Sequence, residues 1–272
     1  MYENPGEGSL DYSVCRYGRS KLLFRGPKRA LDAPYCAIMG GTETYGKFIE
    51  TPFPAILEQQ TGHMVVNLGC VNAGIDAFVH DPSILDICAG ARVAVVKTLG
   101  AQNLSNRFFT VHPRRNDRFV RASKMMKAIY PEVDFTEFHF TRHMLVSLRD
   151  TSAERFALVE HELKTAWIAR MSALARGIPG ETVLLHVTSP PRGGEGDLGP
   201  EPLFIDDDMV AQAGADYDRV VRIVPSDAAL AKGTDGMIFA PLDAPVACRM
   251  AGPAIHREVA EALDPVVTAL MG

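Results

Sequence analysis

The sequence predicts an α/β fold, a three-layer α/β/α sandwich on a parallel sheet of about five strands. Short apolar runs alternate with longer helical patterns, which is typical of parallel strands joined by helical crossovers. The runs are rich in Val, Ile and Leu, as expected of strands that are buried on both faces. They cover residues 35–39, 64–68, 92–99, 182–187 and 219–224. We expect a single domain over residues 1–272.

Helical patterns connect these runs in an order that favours a doubly wound sheet. One pattern covers residues 54–60. Another covers residues 81–89, where Asp81 is placed to cap a helix and Pro82 suits its first position. An amphipathic pattern over residues 253–270 predicts the last helix. Residues 1–33 precede the first strand and are interpreted as an N-terminal extension.

An insertion over about residues 108–178 separates the third and fourth strands, where a short crossover would suffice. Thr151 and Glu154 have the spacing of a capping box, and the helix predicted after them carries one apolar stripe. The stripe consists of Phe156, Val159, Leu163, Trp167, Met171 and Leu174. Two shorter helices are predicted before it, over residues 117–129 and 135–149. We expect this helical insertion to form a lid or the interface of a homodimer.

Composition excludes several classes of partner. The 33 acidic and 28 basic residues give a net charge of −5, so no global positive field attracts nucleic acid or a membrane surface. The five cysteines are scattered without CxxC spacing, which favours reduced thiols and a cytoplasmic protein. The N-terminus lacks the features of a secretory signal, and no apolar run could span a membrane. The sequence indicates no metal site and no cofactor.

The loop after the first strand, residues 40–46 (GGTETYG), lies where open α/β sheets bind ligands. Gly41 lets the backbone approach a ligand closely, and the next residues offer a hydroxyl, a carboxylate and a phenol from Thr42, Glu43 and Tyr45. An ordinary glycine-rich turn has the same composition, so both interpretations stay open.

The loops after the second and third strands repeat this chemistry in NLGCVNAG (67–74) and LGAQNLSNR (99–107). Glycine backbone N–H groups and carboxamides are the usual parts of an oxyanion hole, and Gly69, Asn72 and Asn103 are the candidates. One such loop is often only a turn. Three of them at one sheet edge favour a ligand site.

A basic segment follows the third loop in this acidic protein. Guanidinium groups suit carboxylate, phosphate or sulfate, and Arg114, Arg118 and Arg121 share one face if a helix begins nearby. The alternative is a solvated basic face. The candidate anion-binding residues are Arg107, His112, Arg114, Arg115 and Arg118.

Among the eight histidines, His256 is best placed to act as a general base near neutral pH. It stands at the start of the last predicted helix, after a loop that begins at the sheet edge. The spacing predicts that it faces Thr42.

The order GGTE, NLGxxNAG, GAQN and a final-helix histidine resembles the SGNH (GDSL-like) hydrolase superfamily. The resemblance implies a flavodoxin-like or SGNH-like sandwich with a Ser nucleophile, an oxyanion hole and an Asp-x-x-His pair. Carried over, Thr42 falls at the nucleophile and His256 at the base. Gly69 or Asn72, and Asn103 or Gln102, fall at the oxyanion hole.

The chain departs from that pattern at three positions. Gly41 replaces the Asp of Gly-Asp-Ser, Thr42 replaces Ser, and Pro253 stands where the orienting Asp is expected, which leaves Asp243 or Glu43 as alternatives. The whole chain also resembles a functionally uncharacterised bacterial family, through GGTETYGKF, NLGCVNAGIDAF, GAQNLSNRFFTVHPRRNDRF and GPAIHREVA.

These observations favour a hydrolase or acyltransferase acting on an ester of a small anionic or carbohydrate substrate. One alternative is a relic of that fold that binds its ligand without turnover. Another is a sulfo- or phosphoryl-transferase, because GxxxxGK[ST] is nearly matched except that Phe48 replaces the Ser or Thr.

Overall fold

The computed structural model describes residues 10–189 and 197–272. In these ranges the strands are β1 (Tyr35–Gly40), β2 (Met64–Gly69), β3 (Val93–Lys97), β4 (Phe109–His112), β5 (Arg115–Ala122), β6 (Glu181–Val187) and β7 (Arg219–Ile223). Five of them form a parallel sheet in the order β2-β1-β3-β6-β7. The predicted three-layer sandwich on a five-stranded parallel sheet is therefore confirmed.

Helices follow the strands, and the patterns over residues 54–60, 81–89 and 253–270 each form one as predicted. In the described ranges they are α1 (Thr42–Tyr45), α2 (Phe53–Thr61), α3 (Asp76–Val79), α4 (Pro82–Gly90), α5 (Lys124–Ile129), α6 (Thr141–Thr151), α7 (Ala153–Gly177), α8 (Asp207–Gly214), α9 (Asp227–Ala231), α10 (Ala244–Ala247) and α11 (Pro253–Met271), with 3-10 turns at Phe135–Glu137 and Pro241–Asp243. Asp81 caps α4 as predicted, because its side chain accepts from the Ser83 N–H. None of these helices has the length and apolarity needed to cross a membrane.

Each face of the sheet is covered by its own hydrophobic cluster. One cluster joins the sheet to α2 and α11 through residues such as Phe53, Leu57 and Leu263. The other joins it to α4, α7 and α8, and also takes in Tyr17 and Phe24 from the segment before β1. Buried parallel strands between two helical layers are the arrangement that the continuous apolar runs require.

The insertion differs from its prediction in its first half. Residues 109–122 form an antiparallel hairpin of β4 and β5, so the helix predicted over residues 117–129 forms only at Lys124–Ile129. The second predicted helix begins only at Thr141. The long helix α7 is confirmed, but its N-cap is Ser152, whose hydroxyl accepts from the Arg155 N–H. Thr151 instead ends α6 and donates its hydroxyl proton to the Ser147 carbonyl.

The apolar stripe of α7 is used inside the chain. Its six residues are buried, and the Trp167 Nε1 donates to the Leu99 carbonyl at 2.7 Å, at the end of β3. Arg170 on the same helix is paired with the buried Asp76 carboxylate at 3.0 Å. This helix is therefore a layer of the sandwich rather than a protruding arm, and its stripe is not available to a second copy.

Candidate functional site

A cavity of about 870 Å³ opens at the carboxyl edge of the sheet; we call it the edge cavity. It lies at the switch in strand order between β1 and β3, where open α/β sheets bind ligands. The loops after β1, β2, β3 and β6 contribute to its wall, together with the hairpin, the start of α6 and the segment after α10. Polar side chains that line it include Thr42, Glu43, Asn72, Lys97, Gln102, Asn103, Asp117 and Thr141.

Thr42 is half-buried at the first position of α1 and lines the edge cavity, as the sequence predicts. Its Oγ1 accepts a hydrogen bond from the backbone N–H of Asn72 at 3.0 Å. Gly41 also lines the cavity, and a Cβ there would lie 3.0 Å from the Leu99 side chain. The glycine therefore allows the loops after β1 and β3 to approach each other closely.

Glu43 forms an ion pair that the sequence interpretation missed. The Lys97 Nζ lies 2.6 Å from the Glu43 Oε2, and the Lys97 side chain is only 7% exposed. Lys97 is the last residue of β3, whose sequence VAVVK is otherwise apolar. A lysine at the end of an apolar strand is the sequence signal that could have indicated this ion pair. A buried ammonium requires a nearby carboxylate, so the pair is a fixed part of the cavity wall.

His256 forms no hydrogen bond with Thr42 among the described residues, so the predicted contact of a catalytic dyad is not made. The imidazole is 2% exposed, does not line the edge cavity, and stacks on Phe53 at 5.8 Å between ring centroids. Its Nδ1 accepts from the Phe53 N–H at 3.0 Å, while its Nε2 has no hydrogen-bond partner in the described ranges. Burial lowers the pKa of His256 to about 4.

His256 therefore acts as a helix cap. The N-cap position of α2 is Pro52, which offers no side-chain acceptor to the first N–H groups of that helix. The His256 ring nitrogen, from α11, satisfies one of them. The accepting Nδ1 implies that the neutral ring carries its proton on Nε2.

Of the two oxyanion candidates after β2, only Asn72 lines the cavity. The Gly69 N–H is already bonded to the Asn67 side chain at 2.8 Å, and a Cβ at Gly69 would lie 2.1 Å from the Tyr45 nitrogen. Gly69 is thus required for the packing of α1 on β2. Asn72 adopts a left-handed backbone with φ of 59°, a conformation that Asn tolerates better than most residues.

Asn103 and Gln102 line the opposite wall of the cavity, after β3. The Asn103 Oδ1 accepts from the Thr141 hydroxyl at 2.7 Å, which fixes the carboxamide against α6. Gln102 is 9% exposed, and its buried Oε1 has no hydrogen-bond partner among the residues described. This acceptor is one that a bound ligand would satisfy.

Asp117 from β5 lines the cavity and was not anticipated from the sequence. Its Oδ1 is buried and receives no hydrogen bond in the described part of the chain. The nearest cation is the Arg115 guanidinium, with Nε 4.0 Å from the carboxylate. Burial raises the pKa of the Asp117 carboxyl, and a carboxyl of this kind in a cleft is typical of a functional site.

Arg107 does not line the edge cavity and forms an ion pair within the chain. Its guanidinium Nε lies 2.8 Å from the Glu162 Oε2, and its backbone N–H donates to the Glu162 Oε1 at 3.1 Å. The contact ties the loop after β3 to α7. Arg107 therefore has a structural role.

The other basic candidates line a second cavity of about 650 Å³, which we call the basic cavity. His112, Arg114, Arg115 and Arg118 lie on the β4–β5 hairpin rather than on a helix face. Tyr45 also lines this cavity, so the predicted substrate-binding residues are divided between two sites. The sulfo- or phosphoryl-transferase hypothesis combines the loop after β1 with these arginines, but residues 41–43 of that loop line the edge cavity instead. Lys47, directly after that loop, lies over the Phe48 ring.

The model of one protein family, described as Domain of unknown function (DUF6473), matches residues 1–271. The chain belongs to this family. No curated protein matches the DUF6473 chain. A crystal structure of a protein from Lactobacillus plantarum is similar at 15% identity and a TM-score of 0.41, over 87% of the DUF6473 chain and 97% of that chain. The predicted membership of a family of unknown function is confirmed, whereas the resemblance to SGNH hydrolases stays a prediction.

Proposed function

We propose that the protein binds a polyhydroxylated small molecule, such as a sugar or sugar acid, in the edge cavity. The observation that carries this proposal is the pair of buried acceptors, Gln102 Oε1 and Asp117 Oδ1, which line the cavity and receive no donor in the described ranges. A buried acceptor without a partner costs about 1–3 kcal/mol. Ligand hydroxyl groups would satisfy both atoms.

The rest of the cavity wall supports the same class of ligand. Hydroxyl groups both donate and accept, and the wall offers donors and acceptors side by side. Phe140, which is 44% exposed, also lines the cavity and presents an aromatic surface. A concave site with convergent polar groups and an aromatic surface suits a polar molecule with C–H faces.

Removal of one of the two buried acceptors that lack a hydrogen-bond partner tests this proposal. A panel of monosaccharides, disaccharides and sugar acids is screened by thermal stabilisation, and the binding member is titrated by calorimetry. Gln102→Met keeps the side-chain length without the acceptor, and we expect its Kd to rise up to about tenfold. Gln59→Met, at an exposed position of α2, is the matched control and should bind as wild type. Equal affinity in both variants, or no binding in the panel, contradicts the proposal.

A second candidate function is acyl transfer at Thr42. It is supported by Thr42 Oγ1, which lines the cavity and is positioned by the Asn72 N–H, and by the Asn103 carboxamide on the same cavity. The hydroxyl would attack an ester carbonyl and lose its proton to a base, and the alcohol would leave to give a threonyl ester that water cleaves. The Glu43–Lys97 pair lines the cavity beside Thr42 and is the candidate for the base, in place of His256.

Ester hydrolysis distinguishes this function from binding alone. We expect Thr42→Ala to reduce hydrolysis of short p-nitrophenyl esters to background, and Thr42→Ser to retain it because Ser is a less hindered nucleophile. His256→Asn keeps an acceptor for the Phe53 N–H and should leave the rate unchanged. Equal rates in wild type and Thr42→Ala would exclude acyl transfer.

A further inference from the structure

The basic cavity is a second site, built by elements that are distant in sequence. The hairpin contributes His112, Arg114, Arg115 and Arg118, the segment before β1 contributes Lys21, and the loop after β2 contributes Asn72. Four of these side chains, three arginines and one lysine, carry formal positive charge in a chain whose net charge is −5. Like charges gathered in one cavity repel each other, so the cluster calls for a specific explanation.

Intramolecular pairing does not provide that explanation in the ranges that the structure describes. Arg115 approaches Asp117 at 4.0 Å, the outer limit of an ion pair. Lys21, Arg114 and Arg118 have no carboxylate within that distance among residues 10–189 and 197–272. Arg118 lies over the Phe140 ring at 5.6 Å, an interaction that leaves its N–H groups available.

The cavity is held in place by a buried residue that carries no charge. Asn116, between Arg115 and Asp117 on β5, is fully buried. Its Oδ1 accepts from the N–H groups of Gly74 and Ala77 at 2.8 and 3.0 Å, and its Nδ2 donates to the His112 carbonyl at 2.9 Å. The hairpin is thus fixed to the loop after β2, and its cationic side chains project from a rigid base.

His112 adds a directed donor. Its Nδ1 accepts from the backbone N–H groups of Arg114 and Arg115 at 3.3 and 3.2 Å. The proton of the neutral ring is therefore on Nε2, on a side chain that lines the basic cavity.

We propose that the basic cavity binds a phosphorylated small molecule, with its phosphate on the arginines of the hairpin and its organic part on the apolar wall. Three guanidinium groups, an ammonium and an imidazole N–H exceed what one carboxylate can accept, whereas a phosphate monoester offers three terminal oxygens and two negative charges. The apolar wall includes Leu22, Leu23 and Val71. The volume of about 650 Å³ fits a small organic ligand.

The site is distinct from the edge cavity, although Asn72 lines both. The inference does not depend on the proposed function, because it rests on the cationic side chains of the hairpin and on another class of ligand.

The test uses three probes with the full chain at constant ionic strength: phenyl phosphate, inorganic phosphate and benzoate. Calorimetry and thermal stabilisation should give the tightest binding for phenyl phosphate, weaker binding for inorganic phosphate and the weakest for benzoate. Because the contact is between charges, added sodium chloride should weaken it.

Variants locate the site. Arg114→Gln and Arg118→Gln remove exposed guanidinium groups, and each should weaken phenyl phosphate binding about tenfold. Arg257→Gln, an exposed arginine on α11, is the matched control and should bind as wild type. Arg249→Gln reports on the edge cavity, which that arginine lines, and should also leave binding unchanged.

Three results would overturn the inference. The first is no binding of phenyl phosphate at millimolar concentration, and the second is equal weakening in Arg114→Gln and Arg257→Gln. The third is weakening in Arg249→Gln alone, which would assign the phosphate to the edge cavity.

Discussion

The free energy of unfolding is expected to fall by about 3 kcal/mol for each of two buried histidines when the pH is lowered from 7 to 4. Burial lowers the pKa of His256 to about 4; burial, with the positive charges of Lys97 and Arg222, lowers that of His186 to about 4. An unfolded histidine titrates near 6.5, so between these values the unfolded state binds a proton that the folded state excludes. The stability that comes from keeping these two histidines neutral is fully present above pH 6.5, and it is lost as the pH falls towards 4.

Urea unfolding at intervals between pH 7.5 and 4 measures this loss. His256→Asn places an acceptor where Nδ1 accepts from Phe53, and His186→Asn retains a hydrogen-bond partner for the Thr98 hydroxyl. Each substitution should lower the slope of the unfolding free energy against pH, by an amount equal to about one proton fewer taken up on unfolding. His139→Asn, at an exposed histidine, is the control and should retain the wild-type slope. A wild-type slope in the His256→Asn variant contradicts the assigned burial of that ring.

The role of His256 was in part readable from the sequence. The apolar stripe of the last helix contains Val259, Leu263 and Val267, and His256 stands three residues before the first of them. Helical spacing therefore places its side chain on the buried face rather than at the sheet edge. Its partner could not be predicted, because Phe53 is 203 residues away in the chain.

The strands of the sheet were predictable because buried parallel strands are continuous apolar runs, whereas the hairpin was not. β4 has only four residues, and its pairing with β5 shifts register on both sides of Val111. These irregularities break the alternation that marks a strand, and the arginines at 114, 118 and 121 then imitate helical spacing. The basic residues were thus recognised from their composition, but they were assigned to a helix instead of the β4–β5 hairpin.

The edge cavity was predictable in position and only partly in content. The carboxyl edge and the loops after β1, β2 and β3 followed from the parallel topology. Asp117 reaches the cavity from the hairpin, so the sequence offers no local signal for it. Lys97 follows Val96, which pairs with Met39 across β1 and β3, and a Cβ at Gly40 would lie 3.2 Å from the Lys97 Cβ. The pairing of Lys97 with Glu43 depends on that register.

Glu43→Gln is expected to destabilise the fold by about 3 kcal/mol, because it leaves the buried Lys97 ammonium without its carboxylate. Lys97→Met combined with Glu43→Gln removes both charges and should recover most of that loss, since an isolated buried charge costs more than no charge. Urea midpoints of the wild type, the two single variants and the double variant give the coupling energy. A loss below about 1 kcal/mol in Glu43→Gln would mean that solvent screens the pair.

The double variant also separates a structural role of the pair from a chemical one. If the pair only positions the loop after β1, a folded double variant retains the ester hydrolysis expected of Thr42. If the pair accepts the Thr42 proton, the double variant folds near wild-type stability and loses hydrolysis to the level of Thr42→Ala. The second result is the one we expect, because His256, the base predicted from the sequence, does not line the edge cavity and is bonded through Nδ1 to the Phe53 N–H.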